Sequence, residues 1–372
     1  MSELGVLFDE LPVRDGGKIG VATLNAPKSL NALSLEMIHQ LDAKLVAWAD
    51  DRHVVAVWLE GAGDKAFCAG GDVVAVYRAM TEDDGQENVF PETYFAAEYC
   101  LDYRIHRYPK PLLVWGDGIV MGGGLGLMAG AGYRLATETT RIAMPEITIG
   151  LFPDIGASWF LNRMPRGVGA YLGLTGAQLN SRDALDLGLA DRLIPRASRE
   201  MLLGTLEEAD YGSRTPSELH AGVQAALNRH ERRSLAPAPQ VWPLLDHIQT
   251  LMACASVATA TRRILTDTRD HAWLAANRAR LETGCPLTAH LVWDMLARHR
   301  LGSLADAFRD EWNLAVQCCR RGDLVEGVRA LLIDKDKSPR WRHASVAKVP
   351  DADIQALLAP VVDHEEHPLR RL

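Results

Sequence analysis

Cysteine in this 372-residue sequence follows no spacing that would hold a metal or a disulfide framework. Cys68, Cys100, Cys254 and Cys285 are scattered, and only Cys318 and Cys319 adjoin. Reduced thiols in a cytoplasmic protein are therefore expected. His39, His53 and His106 have no ligand spacing either, so no metal is expected. No uninterrupted apolar run is long enough to span a bilayer, which predicts a chain without a membrane partner. The first ten residues carry Glu3, Asp9 and Glu10 and no basic apolar stretch, so neither a secretory signal nor a transit peptide is read there. Positive charge is not in excess. Forty Lys and Arg against 48 Asp and Glu give a formal net charge of -8, which argues against a general nucleic-acid surface yet leaves room for a local anion site. A phosphate loop ending in Gly-Lys-Ser/Thr is absent, and neither heptads nor a fixed-period repeat organises the chain.

What is present reads as an ordinary globular composition, 48% apolar and 24% charged. Ile19 to Leu24 has strand character, ended by Asn25 and Pro27. Ser34 is placed to cap a helix whose apolar residues Met37, Ile38, Leu41, Leu45 and Trp48 recur at helical spacing. Val54 to Leu59 predicts a buried strand that empties into Gly61-Ala62-Gly63. The polar run Thr81 to Asn88 predicts a surface segment, Tyr94 to Arg107 a helix, and Leu112 to Trp115 a strand after the break at Pro109-Lys110-Pro111. Leu125 to Ala131 fits strand or helix, while Tyr133 to Thr137 and Arg141 to Met144 predict short strands. Strand, glycine loop and helix in succession predict an α/β core over residues 1–200. From 201 to 372 helical runs dominate, among them Trp242 to Ala255, Val257 to Thr266, Ala272 to Glu282 and Leu304 to Arg321. Arg214-Thr215-Pro216 reads as an irregular stretch before them, and Pro237 and Pro239 as a linker.

Two glycine loops carry the first chemical signal. Lys65-Ala66-Phe67-Cys68-Ala69-Gly70-Gly71-Asp72 lets the backbone approach a ligand, with the Gly71 N–H available to a carbonyl oxygen. Met121-Gly122-Gly123-Gly124-Leu125-Gly126 supplies a second set of backbone donors. A strained turn or close backbone packing explains either loop alone. Two such loops after two strands fit a reaction that needs donors converging on an oxyanion. Gly124 to Ala129 also matches a loose dinucleotide-binding pattern, but the residues from Gly118 to Gly124 separate it from the preceding strand, so dinucleotide binding fits poorly.

Met144 to Gly156 sets Glu146 and Asp154 among apolar residues and turn formers. Burial raises a carboxyl pKa, and neighbouring carboxyls adopt different protonation states, as acid–base work requires. Both acids also have a structural reading: Glu146 as a cap for the segment that follows, Asp154 as the start of a helix through Trp159.

In this order, the segments resemble the crotonase, or enoyl-CoA hydratase/isomerase, superfamily, and within it the 3-hydroxyisobutyryl-CoA hydrolases. The resemblance continues through Leu174-Thr175-Gly176, Gly188-Leu189-Ala190, Asp323 to Ala330 and Leu332 to Asp336, covering nearly the whole chain. It implies a crotonase-like spiral of β/α units with a helical C-terminal region. Gly71 and Gly123 are then expected as oxyanion donors and Glu146 and Asp154 as the acids. Gly122, Glu98 and Tyr99 are expected at the acyl group, with packing an equal reading of Tyr99. Lys65, Ala66, Ala69 and Asp72 are expected on the CoA portion. CoA enters as part of the substrate, and no separate cofactor is expected. Gly126 stands where hydratases of the superfamily carry their first glutamate, which removes a proton-transfer group and shifts the expectation from alkene hydration to thioester hydrolysis in valine degradation. A hydratase or isomerase, or a noncatalytic acyl-CoA binder, are the alternatives. A homo-oligomer, trimer or hexamer, is left open by the resemblance.

Overall fold

A computed structural model of the chain describes residues 5–81 and 89–372. Most of the Thr81 to Asn88 run lies outside the described residues. The chain divides into two compact units that interleave along the sequence: residues 1–71, 101–142 and 179–239 form one, and 72–100, 143–178 and 240–372 the other. A boundary at residue 200 falls inside the first unit.

The first unit is built on strands. In chain order these are β1 (Val6–Pro12), β2 (Lys18–Leu24), β3 (Val54–Gly61), β4 (Ala66–Cys68), β5 (Leu112–Gly116), β6 (Ile119–Met121), β7 (Tyr133–Ala136), β8 (Arg141–Ala143), β9 (Leu179–Asn180) and β10 (Arg192–Leu193). The larger sheet runs β1-β2-β3-β5-β7-β10, and the smaller β4-β6-β8-β9. Only β1 pairs antiparallel in the larger sheet, Val6 opposite Leu24; β2, β3, β5, β7 and β10 are mutually parallel. Parallel strands covered on both faces tolerate little polarity, and all but the last residue of Val54–Gly61 is buried. Glu60 is the exception in character: its carboxylate accepts from Trp58 Nε1 at 2.8 Å and pairs with Arg199 at 2.5 Å.

Helix α1 (Leu35–Asp50) follows its pattern closely. Ser34 Oγ accepts from Met37 N at 3.2 Å, and the buried residues are Met37, Ile38, Leu41, Leu45 and Trp48. Each such side chain contributes roughly 1.5–3 kcal/mol by leaving water. The far end is closed by Lys110, whose Nζ donates to Trp48 O and Asp51 O at 2.6 Å each. Within the ambiguous apolar segment after the second glycine loop, the chain is helical, α4 (Gly123–Ala129), preceded in sequence by α2 (Val73–Thr81) and α3 (Phe90–His106).

Arg214-Thr215-Pro216 is the start of a helix, Pro216–His230, not merely an irregular stretch. Thr215 and Glu218 form a capping box with Pro at the first helical position, a signature present in the sequence but masked by its turn-forming neighbours. Leu219, Val223, Ala226 and Leu227 of this helix join the core of the first unit with Trp58, Trp115 and Leu135.

The second unit is mainly helical. Its helices include Val168–Thr175, Leu245–Met252, Val257–Leu265, Ala272–Thr283, Pro286–Arg298 and Leu304–Arg321. The Asp323 to Ala330 motif forms the short helix Leu324–Val328, packed backbone to backbone on the turn after Glu146. A Cβ on Gly327 would lie 2.2 Å from Ile149 C, and one on Gly150 would lie 2.7 Å from Asp323 C. Arg329 then ties the closing segment, pairing with Glu326 at 2.7 Å, Asp334 at 2.6 Å and Asp336 at 2.7 Å. Among the described residues no helix is long and apolar enough to cross a membrane.

Loss of the Thr215 cap in Thr215→Ala is expected to destabilise the first unit by about 1 kcal/mol, whereas Ser217→Ala, on the exposed first turn, leaves stability unchanged. Urea unfolding midpoints of the two variants check this.

Candidate active site

The first glycine loop is held by the chain that follows β2. Leu30 and Asn31 both adopt left-handed backbone, φ 55° and 58°. Asn31 is fully buried, and its side chain donates to Ala62 O at 2.9 Å and Ala66 O at 3.0 Å while accepting from Ala26 N at 3.0 Å. Ala69 N donates to Leu30 O at 3.0 Å, and Leu33 N to Gly70 O at 2.9 Å. Sequence reasoning passed over Asn31, though an Asn in a turn next to a glycine loop is the residue that tolerates left-handed backbone.

The two glycine loops meet. Gly70, at φ 121°, lies so near the second loop that a Cβ there would be 3.4 Å from Met121 O and 3.8 Å from Gly123 N. Gly122, at φ 48° and ψ -128°, turns the chain into α4, a conformation that disfavours any side chain. A Cβ on Gly124 would strike Cys68 O at 2.3 Å, so glycine there is what allows α4 to seat against β4. Among the described residues neither the Gly71 N–H nor the Gly123 N–H donates a hydrogen bond. A buried N–H group without a partner is rare in folded chains, and Gly123 is buried. Gly126 lies buried inside α4.

Of the residues expected on CoA, Lys65 is exposed, while Ala66, on β4, lines a cavity of about 300 Å³ together with Glu60, Trp115, Arg196 and Arg199. Both guanidiniums in that cavity are already paired, Arg199 with Glu60 and Arg196 with Asp117. Ala69 lies between β4 and the glycines. Asp72, in the second unit, caps α2: its Oδ1 accepts from Ala75 N at 3.0 Å, and its own N–H donates to Tyr94 Oη at 3.1 Å.

In the second unit the structure gathers the acids. Glu98 and Tyr99 lie on α3, Glu146 opens a single 3₁₀ turn (Glu146–Thr148), and Asp154 precedes the short helix Ala157–Phe160. Their exposures are 2%, 0%, 4% and 4%. Tyr99 Oη donates to Asp154 Oδ2 at 2.6 Å, so the Asp154 carboxylate turns to Tyr99 and not to the following helix, which removes the capping explanation. Glu146 makes no capping bond either; its Oε2 and Glu98 Oε1 have no hydrogen-bond partner among the described residues.

A fourth buried acid, Glu311, joins them from the helix Leu304–Arg321. Its signal in the sequence is an acid on an apolar helix face, between Phe308 and Trp312 and before Ala315. Burial raises the carboxyl pKa of all four. Asp154 is pushed up to about 6 against the pull of the Tyr99 hydroxyl, and Glu311 to about 8 against the Ser158 and Gly156 donors. Glu146 is driven well above the ordinary range by burial first, then by the charges of Asp154 and Glu98. Glu98 rises for the same reasons, burial and then Asp154. The Tyr99 hydroxyl favours the charged form of Asp154, and a carboxylate kept dry is a stronger base than one in water.

The enoyl-CoA hydratase/isomerase family pattern matches residues 19–358. The mitochondrial 3-hydroxyisobutyryl-CoA hydrolase of Gallus gallus is 35% identical over 358 residues, 96% of this chain and 90% of that protein. The Homo sapiens protein of the same name is 33% identical over 347 residues, 93% of this chain and 87% of that one. Among solved structures, an enoyl-CoA hydratase from Rhodobacter sphaeroides 2.4.1 superposes with a TM-score of 0.82 at 33% identity, covering 96% of this chain and 98% of that one. The vertebrate relatives are named mitochondrial, which overturns the cytoplasmic location expected from the thiols and the acidic first residues. Reduced cysteines do not distinguish one reducing compartment from another. With a crotonase-type fold and similarity along almost its full length, the chain belongs to the enoyl-CoA hydratase/isomerase family.

Proposed function

We propose that this chain hydrolyses 3-hydroxyisobutyryl-CoA, or a related short 3-hydroxyacyl-CoA, to the free acid and CoA, as a step of valine degradation. The observation that carries the reading is the acid set of the second unit: a buried Glu146 with one oxygen unpartnered among the described residues, beside an Asp154 fixed by Tyr99. Gly126 supports it from the first unit, since α4 carries no acid at the position where alkene hydration needs one. The hydrolase names of the Gallus and Homo relatives favour the same reaction. The hydratase name of the Rhodobacter protein keeps hydration as the second reading.

In the proposed roles, the Gly71 and Gly123 N–H groups polarise the thioester carbonyl and stabilise the oxyanion, each worth about 3–4 kcal/mol of barrier when well placed. Glu146 either takes a proton from water, which adds to the carbonyl carbon, or attacks that carbon itself to give an anhydride that water opens. In both routes the C–S bond breaks and CoA leaves as thiolate and is protonated; in the water route the new oxygen of the acid comes from water, and in the anhydride route it comes from Glu146 when water opens the anhydride at the Glu146 carbonyl. Asp154 orients the 3-hydroxyl or the water and assists the proton transfer. Glu98, Tyr99 and Gly122 are assigned to the acyl group, and Lys65, Ala66, Ala69 and Asp72 to the CoA portion. Single-turnover hydrolysis in labelled water separates the routes, since only the anhydride route places label in the Glu146 carboxyl.

Glu146→Gln is expected to lower kcat by roughly 10²–10⁴-fold, the usual worth of a proton-transfer group, and Asp154→Asn to impair the same step, both with folding retained. A panel of saturated, unsaturated and 3-hydroxy acyl-CoA thioesters, with thiol release and product identity followed together, decides between the readings. Hydration without thiol release supports the hydratase, and binding without turnover a noncatalytic acyl-CoA protein.

Asp154 also sets a pH dependence. Its folded value of about 6 lies above the ordinary 3.8, so the folded chain binds more protons than the unfolded chain between the two. This contribution to stability is fully present below about 4 and is lost as pH rises through about 6. Asp154→Asn is expected to flatten this profile, measured by unfolding midpoints over the same pH range.

A further inference from the structure

Two residues after Asp154, the chain is held by a group outside the roles assigned above. Glu311 Oε2 accepts from Gly156 N at 2.6 Å, and its Oε1 accepts from Ser158 N at 2.9 Å and from Ser158 Oγ at 2.5 Å. Both carboxyl oxygens are therefore occupied by the turn that carries Asp154. Ile155 and Gly156 stand in left-handed backbone, φ 58° and 82°, and a β-branched residue such as Ile155 disfavours that conformation. Local preference does not hold this turn; the partners of its N–H groups do.

The same helix reaches the Asp154 side chain through another residue. Phe308, one turn before Glu311, packs its ring on Tyr99 at 5.8 Å between centroids, and Tyr99 donates to Asp154. Phe308 also lies under Gly156, where a Cβ would be 3.2 Å from its Cζ. One helix face thus grips Asp154 at its backbone, through Glu311, and at its carboxylate, through Phe308 and Tyr99. Glu311 forms no ion pair among the described residues, and a buried carboxyl without a cation is costly. Its retention is explained by a need for two acceptor oxygens side by side. Glutamine would supply one and turn an NH₂ group against the remaining donors.

Resting on the hydrolase reading, we infer that Glu311 is a positioning residue that fixes the Asp154 turn in the geometry the reaction requires. It touches no reacting atom, so its loss acts on turnover and not on substrate affinity.

Glu311→Gln in the full chain is expected to lower kcat, on the order of 10²-fold for a displacement near 1 Å, with KM unchanged. Glu311→Asp, which keeps both oxygens, is expected to recover part of that loss. In an Asp154→Asn background, Glu311→Gln is expected to add nothing. An equal loss of kcat in that background, or an unchanged kcat in both Glu311 variants, overturns the inference. Should Glu311→Gln fail to fold, Glu311→Asp and Ser158→Ala carry the kinetic test, and full activity in both overturns it. The amide resonance of Gly156, in ¹⁵N-glycine-labelled protein, gives a readout independent of activity: it is expected downfield in the wild type and shifted upfield in the Glu311 variants. A Gly156 resonance indifferent to Glu311 also overturns the inference. Failure of the wild type to release thiol from any acyl-CoA instead removes the hydrolase reading, and the Gly156 resonance still decides the Glu311 contact.

Discussion

The second unit keeps four carboxyl groups away from water, and among the described residues none of the four is given a cation. Glu98, Glu146, Asp154 and Glu311 are each at most 4% exposed, and their partners are hydroxyl and backbone N–H donors. Desolvation raises all four pKa values, but the donors differ in number and kind, so the four do not titrate together. Tyr99 favours the charged form of Asp154, whereas Glu146 and Glu98 each keep an oxygen with no partner among the described residues. An unpaired buried oxygen is expensive to leave in a folded chain, and such cost is characteristic of groups retained for their reactivity.

The first unit solves a complementary problem with backbone alone. Its two glycine loops approach each other by removing side chains wherever backbones must touch: Gly70 against Met121 and Gly123, Gly124 against Cys68. Asn31 anchors the first loop by satisfying Ala62 and Ala66 carbonyls that would otherwise be left without donors. Lys110, in the break before β5, is spent on carbonyls at the end of α1, Trp48 O and Asp51 O. Positive charge visible in a sequence is often already committed to such local tasks.

The resemblance that identified the family runs through segments whose structural work differs. The two glycine loops and the Met144 to Gly156 segment carry the donors and acids, while the Asp323 to Asp336 segment supports them. Gly327 and Gly150 are glycines because two backbones come within van der Waals contact there, and Arg329 closes the segment with three carboxylates. Cys285 adds a further tie, its N–H donating to Ile147 O at 2.9 Å and its Sγ contacting Asp323 at 3.4 Å. The Asp323 to Asp336 segment and Cys285 therefore brace the turn that carries Glu146.

The sequence by itself determined what depends on near neighbours. The face of α1, its Ser34 cap, the strands β2, β3 and β5, the helix Leu304–Arg321 and the glycine loops all follow from spacing and local sterics. It also contained, unread, the capping box that begins the helix Pro216–His230. Only the tertiary structure decided what depends on distant partners. Leu125 to Ala129 is helical because it seats against β4, Asp154 turns to a tyrosine 55 residues earlier, and Glu311 reaches back 155 residues to Gly156. The physical reason is that a carboxyl group's pKa and orientation are set by which donors and how much water surround it, and those are assembled only when the chain packs.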